Sequence, residues 1–499
     1  MRRRDFLKAA GGSTMALALP STLQARERAS KPNIIYMMLD EWGYYEMSGL
    51  GHRRLKTPVF DQFMKEGMRL THAYAGGPVC GPTRSTLLTG QHLGHVSMRS
   101  NGGATPIRQD EVTIAEILKE QGYATAGFGK WGIGARGTTG IPEIHGLDLF
   151  FGYYDQVHAH SFYPTFLIRN SQEVPLKGNT GDPTKGETHA QYVIFDETMK
   201  WLDKNHDKPF FLYLPYTPPH GLWGLAEDDP YWQAFKDKPW RTGQKTDKDS
   251  RIYAAMLLMV NDQLKQIMDK LKEYGIDDNT IIFLCGDNGG QAYFRTPEDP
   301  RGLFAPNVDP KTGQEFRAGK GSLYEGGLRI PMLARWPGKI KPGSESDLVW
   351  YFPDVMPTLA ELAGARVPEG CDGISIVPTL LGKGEQKKHE FLYWEYMNQY
   401  AVRTGKWKGW CWHREGKKPI PWQLYDLSND IGETTDLADK HPEIVAKIDA
   451  IAKREHTPIR RGGRLPNATV DARRDRTVAL GRHPRKPRSR KKAPQNRKQ

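Results

Sequence analysis

Apolar runs alternate with amphipathic stretches along most of this chain. Residues 33–39 form a continuous apolar run, which is typical of a strand buried on both faces of an α/β sheet. Residues 58–66 place a proline in the first turn, after Thr57, and are followed by Gly67, which predicts a helix with defined ends. The two patterns together indicate strand–helix units of the α/β kind.

The same alternation continues for about 300 residues and predicts one large, mostly parallel-sheet domain. Its helices are expected at residues 112–120, 252–274 and 354–363, and its further strands at 123–128, 210–214, 280–285 and 328–334. After about residue 382 the pattern changes to short aromatic strands at 391–396, 399–403 and 423–426, followed by a helix at 443–454. We therefore expect a large α/β domain over 31–382 and a small α+β subdomain over 383–456.

Composition supports a folded body with two unusual ends. The chain has 499 residues, of which 38% are hydrophobic, and this excludes a wholly disordered or coiled-coil protein. The net charge of +13 lies in residues 457–499, which hold 15 Lys or Arg and two Asp, so the body is neutral. That basic tail has almost no apolar periodicity and is expected to be disordered.

The N-terminus resembles an export signal. Residues 3–8 read RRDFLK, residues 9–19 are mildly apolar, and residues 23–25 suit cleavage, as in a twin-arginine signal peptide over 1–25. A basic, frayed terminus is the alternative. From this signal we expect an exported bacterial protein, periplasmic or extracellular. No other run approaches the ~18 apolar residues needed to cross a membrane, so we expect no transmembrane segment.

Four cysteines occur, and none forms a CxxC pair, which argues against a zinc ribbon or a disulfide-dense scaffold. They are Cys80, Cys285, Cys371 and Cys411. Cys80 stands out, because residues 80–84 read CGPTR. Pro82 suits the first turn of a helix, whose N-terminus would offer amide donors to an anion, and Arg84 would face the same way. A buried cysteine at a helix start is the alternative.

Oxygen-bearing side chains follow two predicted strands. Asp40 and Glu41 end the first strand, and Asp287 and Asn288 follow Cys285 in the sequence CGDNGG. Open α/β sheets bind ligands at this edge, and such oxygen donors favour a hard cation such as Ca²⁺ over zinc. A tight turn is the other interpretation of DNGG alone.

The segment CGPTRSTLLTG over 80–90, with the motifs around it, resembles the signature of the sulfatase family over about residues 32–455. The resemblance implies an alkaline-phosphatase-like fold, in which helices sandwich a large mixed sheet and a smaller antiparallel-sheet subdomain follows. It also implies that a formylglycine-generating or sulfatase-maturing enzyme oxidises Cys80 to formylglycine, the nucleophile. One Ca²⁺ would be bound by Asp40, Glu41, Cys80, Asp287 and Asn288, although relatives carry a second Asp where this chain has Glu41.

The resemblance also assigns catalytic roles. Lys130, in GKWG, and Lys320, in GKGSLYEGG, would bind the sulfuryl oxygens together with Arg84. His220 would protonate the leaving oxygen. Relatives often have a His two residues after the first Lys, where this chain has Gly132. His158 or His160, in a region that lines the pocket in relatives, is expected to bind substrate in its place; each is otherwise an ordinary surface or core histidine.

The implied function is sulfatase hydrolysis of sulfate monoesters, and loops rich in aromatic residues favour sulfated carbohydrates as substrates. A phosphate or phosphonate monoester hydrolase on the same scaffold and a non-catalytic polysaccharide-binding protein are the alternatives. We expect no specific nucleic-acid partner. The basic tail is expected either to contact polyanions, the sulfated substrate first, or to be solvated without a partner.

Overall fold

A computed structural model describes residues 31–101, 105–240, 247–413, 416–469 and residue 475. The predicted signal peptide over 1–25 and most of the basic tail lie outside the described residues. None of the helices in this part of the chain combines the length and the hydrophobicity that a membrane span requires.

One large sheet organises the body. Its strands are β1 (Asn33–Asp40), β2 (Met68–Leu70), β4 (Ala124–Lys130), β5 (Leu149–Tyr153), β6 (Phe166–Arg169), β7 (Gln172–Pro175), β8 (Phe210–Pro219), β9 (Thr280–Gly286), β10 (Met332–Arg335) and β11 (Ser344–Ser346). Among the described residues these ten strands lie in the order β11-β2-β10-β9-β1-β8-β4-β5-β6-β7. The central strands β9, β1, β8, β4 and β5 are parallel, whereas β10, β6 and β7 run antiparallel to their neighbours. The sheet is therefore mixed, with a parallel centre.

Helices cover both faces of this sheet. They are α1 (Pro58–Glu66), α2 (Cys80–Thr89), α3 (Ile114–Glu120), α4 (Ala190–Asn205), α5 (Pro230–Phe235), α6 (Asp247–Glu273), α7 (Glu325–Leu328), α8 (Val355–Ala363) and α9 (Val377–Leu381). Strand β1 explains the arrangement: Ile35, Met37 and Leu39 pack with α1, α4 and α6, whereas the alternate side chains pack with α2, α3 and α8. Because both faces are dry, β1 is apolar throughout, as the sequence predicted.

The C-terminal part is a four-stranded antiparallel sheet of β13 (Leu392–Tyr396), β14 (Gln399–Thr404), β15 (Trp407–Trp412) and β16 (Ile420–Asp426), covered by α10 (Pro442–Glu455). Two short strands, β3 (Ala73–Tyr74) and β12 (Trp350–Tyr351), pair in the body. Trp394 of β13 packs against Tyr74 and Tyr351, so the small sheet is joined to the body through an aromatic core.

The predicted fold class is confirmed, with several local differences; among them, strands β5, β6 and β7 and helix α4 were not predicted. The strand expected at 328–334 begins only at Met332, because residues 325–328 form α7. Strand β15 was not predicted. Residues 457–469 were expected to be disordered, yet Thr457 N donates to Gly94 O (3.2 Å) and Leu465 N to Gly137 O (2.9 Å). Backbone hydrogen bonds, which leave no apolar periodicity, hold this stretch, so that prediction is wrong for 457–469.

Candidate active site

The ends of four neighbouring parallel strands bring the predicted residues together. Asp40 ends β1, Lys130 ends β4, Asp287 follows β9, and His220 follows β8. These strands are adjacent in the order β9-β1-β8-β4, so their carboxyl ends meet at one edge of the sheet. This is where open α/β sheets place their ligands.

Cys80 is the first residue of α2 and faces this edge. Its Sγ donates to Asp40 Oδ1 (3.2 Å) and lies 3.6 Å from Lys320 Nζ. The helix has no side-chain N-cap at Val79, while Gly81 N donates to the Asn101 side chain (2.9 Å). Burial first, and the Asp40 carboxylate second, raise the pKa of the Cys80 thiol well above its usual value. The unmodified thiol is therefore a weak nucleophile.

Arg84 joins the helix to both carboxylates, whereas its spacing from Cys80 predicted only that it faces the same way as Cys80. Its Nη2 lies 3.1 Å from Asp287 Oδ2 and 3.5 Å from Asp40 Oδ2, and its Nη1 donates to Lys130 O (2.6 Å). Lys130 Nζ also contacts Asp40 Oδ2 directly. All four side chains are fully buried, so these ion pairs act in a region of low dielectric constant.

The pKa values of the two buried carboxyl groups, Asp40 and Asp287, shift in opposite directions. Burial disfavours the ionised form of Asp40. The positive charge of Lys130, with those of Arg84 and Lys320, outweighs burial and holds the pKa of the Asp40 carboxyl well below its usual range. Burial and the nearby Asp40 charge raise the pKa of Asp287 to about 7. Burial opposes the charged form of Lys130 as well, but Asp40 outweighs it and the pKa of Lys130 is raised. Asp40 is thus the charge around which the site is arranged.

The oxygen atoms at this edge fit a hard divalent cation. Asp40 and Asp287 approach each other closely enough, with Cys80, to share one ion, and Asp40 and Glu41 do so with His220. Asn288 Oδ1 is buried and accepts no hydrogen bond from the described residues. Buried acceptors without donors are costly, and a cation would satisfy them. The predicted donors Asp40, Asp287 and Asn288 therefore suit Ca²⁺.

The structure gives Glu41 a second set of contacts. Its Oε2 lies 2.9 Å from His220 Nδ1 and accepts a hydrogen bond from Tyr293, and its carboxylate contacts Lys320. Tyr293 also lies 3.2 Å from His220 Nδ1. His220 Nε2 has no hydrogen-bond partner among the residues described, which leaves that nitrogen to a ligand. Tyr293 was not identified from the sequence, because a tyrosine in a loop carries no signal of its own.

Lys320 lies beside Cys80 on the loop before α7, as the motif predicted. Burial lowers the pKa of its ammonium group to about 8, although the Asp40 carboxylate opposes the shift. The site holds three acidic side chains (Asp40, Glu41, Asp287) and three basic side chains (Arg84, Lys130, Lys320), so their formal charges balance. A divalent cation added to this set would leave an excess of positive charge for an anionic substrate.

The two histidines expected to bind substrate lie in different places. The His160 ring is 4.8 Å from the His220 ring, so His160 borders the site. His158 is buried in the core, where its Nε2 bonds to Phe166 O (3.0 Å) and its ring packs on Tyr153 and Phe166. The structure does not bring His158 to the pocket, because the short turn that carries both residues points them in different directions.

Gln156 fills the space that a side chain at Gly132 would need. A Cβ built at Gly132 would lie 2.5 Å from Gln156 Nε2 and 3.2 Å from Arg84 Cδ. Gln156 Nε2 donates to Gly132 O (2.9 Å), and its buried Oε1 accepts no hydrogen bond from the described residues. The glutamine therefore occupies the space above Gly132, while His160 remains at the border of the site. The missing side chain at Gly132 was the signal that a replacement existed.

Comparisons with known proteins agree with this geometry. The Sulfatase family profile matches residues 32–365, and the profile described as N-sulphoglucosamine sulphohydrolase, C-terminal, matches residues 317–456. Arylsulfatase A from Bos taurus is 31% identical over 480 residues, covering 86% of this chain and 87% of that protein. N-acetylgalactosamine-6-sulfatase from Mus musculus is 27% identical over 449 residues, covering 83% and 79%.

A solved structure has the same fold. The crystal structure of Ps i-CgsB in complex with k-i-k-neocarrahexaose superposes with a TM-score of 0.70 and 26% identity, covering 86% of this chain and 94% of that chain. Together with the family match over most of the body, these similarities assign the protein. The chain belongs to the sulfatase family, and it is an enzyme that hydrolyses sulfuric esters.

Proposed function

We propose that this enzyme removes sulfate from carbohydrates, using a formylglycine formed from Cys80 and one Ca²⁺ bound by Asp40, Asp287 and Asn288, with Glu41 as a further ligand. The observation that carries the proposal is the position of Cys80. Its Sγ lies at the start of α2, 3.2 Å from Asp40 Oδ1 and 3.6 Å from Lys320 Nζ. An anion bound there would meet the helix N-terminus and three cationic side chains.

A formylglycine at position 80 would supply a hydrated aldehyde as the nucleophile, and a divalent cation held by Asp40, Asp287 and Asn288 would supply charge that offsets the anion. The residues of the chain do the rest. Lys130, Lys320 and Arg84 balance the charge on the sulfuryl oxygens, in a buried site where such contacts are strong. His220 Nε2 is free to meet the leaving oxygen, while Glu41 and Tyr293 hold Nδ1 on the other side of the ring.

Carbohydrate substrates are supported by the similar proteins. One of them is named for N-acetylgalactosamine 6-sulfate, another was solved with a neocarrahexaose, and the C-terminal profile is described by N-sulphoglucosamine. The same similarities favour sulfate over phosphate or phosphonate. A protein that only binds polysaccharide is not favoured either, because this chain has all the charged groups that the resemblance assigns to the active site.

We further propose that the protein is exported through the twin-arginine signal at residues 1–25, and that a maturing enzyme modifies Cys80 beforehand. The twin-arginine route carries folded proteins, which suits an enzyme whose nucleophile and metal are installed first. The support is the RRDFLK sequence at residues 3–8 and the mildly apolar stretch at 9–19 that follows it.

The test is release of sulfate from a panel of sulfated mono- and oligosaccharides by the matured protein, with matched phosphate esters as a control. We expect sulfate release from sugars and little phosphate release. Chelation should lower the rate by ~10²-fold, because the site loses the charge that offsets the anion, and Ca²⁺ should restore it. Turnover of phosphate esters alone, or stoichiometric zinc in the active protein, would contradict the proposal.

A further inference from the structure

A polar cavity of about 570 Å³ opens next to the candidate active site. Lys320, which contacts the site, forms part of its wall, and the wall continues through Ser322, Gln291, Asn307, Arg295 and Arg301. This volume falls in the range of small-molecule binding sites and exceeds what a single sulfuryl group needs. The cavity therefore has room for the part of a substrate that extends away from the sulfate ester.

The cavity wall carries an excess of positive charge. Its cations are Lys320, Arg295 and Arg301, and Glu315 is its one carboxylate among the described lining residues. Glu315 is already bound, since its Oε2 lies 2.6 Å from Arg301 Nε. The wall thus attracts anions, and the attraction is not cancelled by its own acid.

Arg295 is the cation that remains available. The side chain is exposed, its Nε donates to Ala292 O (3.2 Å), and its guanidinium has no carboxylate partner in the described residues. A guanidinium group offers paired donors that match the oxygens of a sulfate or a carboxylate. Arg295 is therefore suited to a second anionic group of the substrate.

Asn307 ties the cavity wall to the segment that follows β9. It is buried, and its Nδ2 donates to Ala318 O (2.9 Å) and to Gly290 O (3.2 Å). These hydrogen bonds hold the loop that carries Lys320 against that segment.

We infer that this cavity binds the sugar next to the sulfate ester, and that Arg295 recognises a second anionic group on it, either a sulfate or a carboxylate. The inference rests on the proposed function and narrows its substrate class to acidic, multiply charged saccharides. Monosulfated neutral sugars would occupy the catalytic site without using Arg295.

The test measures binding of matched saccharides by calorimetry and by competition with 4-nitrophenyl sulfate turnover. One pair is N-acetylglucosamine 6-sulfate and glucosamine-2-N,6-O-disulfate, in which an uncharged N-acetyl group is replaced by an anionic N-sulfate group. The other pair is the 6-sulfated chondroitin disaccharide before and after reduction of its carboxyl group. The variants are Arg295→Ala and Arg295→Lys, with Arg366→Ala as the control, because Arg366 is also an exposed arginine but does not line this cavity.

In at least one pair, we expect wild-type protein to bind the doubly anionic saccharide about tenfold more tightly than its singly anionic partner. The pair that shows this preference tells whether Arg295 recognises a sulfate or a carboxylate. Arg295→Ala should abolish that preference, Arg295→Lys should keep part of it, and Arg366→Ala should keep all of it. A wild-type protein without preference in either pair, or a preference that survives in Arg295→Ala, would overturn the inference. If the wild type released no sulfate from any of these saccharides, that result would instead contradict the proposed function, and calorimetry would still test the cavity.

Discussion

The His220 ring is held through one nitrogen, with Nδ1 between Glu41 and Tyr293, and its Nε2 has no described partner. A proton donor matters most when the departing oxygen is strongly basic. His220→Ala should therefore slow release of sulfate from sugar alcohols by ~10²-fold or more, and release from 4-nitrophenyl sulfate by much less. The measurement is kcat/KM for both substrates in each protein.

Tyr293→Phe and His160→Ala are useful companions to that variant. The first keeps the ring but removes the hydrogen bond to Glu41, and the second removes the neighbour of His220. Equal losses on both substrates in His220→Ala would show that His220 positions the sulfate and does not protonate the leaving group.

Gly132 and Gln156 should be energetically coupled. Gly132 has a φ of +80°, which disfavours any side chain, and a Cβ there would lie 2.5 Å from Gln156 Nε2. We expect Gly132→Ala to lower the free energy of unfolding by about 2–3 kcal/mol, from backbone strain and the clash.

Gln156→Ala should relieve the part of that loss due to the clash, so the double variant should be more stable than the sum of the single losses. Denaturation midpoints of the four proteins give the cycle. Strict additivity would show that Gln156 does not occupy the space above Gly132.

Most of the residues brought together at the sheet edge were identified from the sequence. Asp40, Asp287 and Lys130 lie at strand ends, and topology places such residues side by side. The sequence placed Glu41 at this edge but did not predict its partners. Its side chain is one carbon longer than that of Asp, and only the structure shows that it reaches His220 and Lys320. His158 and His160 are two residues apart, and only the structure shows that one lies in the core and the other at the pocket.

At the scale of elements, the end of α10 is fastened to the body by a cluster of histidines and carboxylates. Glu455 Oε2 lies 3.1 Å from His92 Nε2, and Asp372 Oδ1 lies 3.0 Å from His95 Nδ1. The His92 hydrogen bond, despite some opposing burial, lowers the pKa of Glu455 from 4.5 to about 2. The folded state therefore gains stability from ionised Glu455 above pH 4.5, and loses it as the pH falls from 4.5 towards 2.

Glu455→Gln should accordingly destabilise the protein by about 1–3 kcal/mol at pH 7, and the difference from wild type should shrink as the pH falls below 4.5. Thermal midpoints across pH give the measurement. Glu361→Gln, at an exposed position of α8, is the control and should change little. A loss that is the same at pH 3 and pH 7 would mean that the ionised carboxylate is not what holds α10.

The sequence predicted strands that are buried along their whole length, and it missed a strand whose burial depends on contacts with distant residues. Strands β1 and β9 are buried on both faces, so their apolar runs were unambiguous. Strand β15 reads WKGWCW, and its Lys408 is buried because it pairs with Glu325 (2.8 Å) and Glu433 (3.0 Å). A buried lysine that depends on distant partners has no local pattern.

At the scale of the whole molecule, the positive charge is concentrated beyond the described body. Residues 476–499 contain ten Lys or Arg and no Asp or Glu. If this stretch holds polyanionic substrate, deleting 476–499 should leave 4-nitrophenyl sulfate turnover unchanged and weaken retention on a heparin column at low salt. The difference should vanish at high salt, because salt screens the charges. Equal retention of both proteins at low salt would show that the tail is not a substrate anchor.

The central claim is that the active enzyme carries formylglycine at position 80. Arg69 and Arg84 flank this position, so trypsin releases residues 70–84 as one peptide, whose mass reports the modification. In protein that hydrolyses sulfate esters, we predict the mass of an aldehyde in place of the thiol, and Cys80→Ala protein should be folded and inactive. Fully active protein whose peptide 70–84 keeps an unmodified Cys80 would contradict the account.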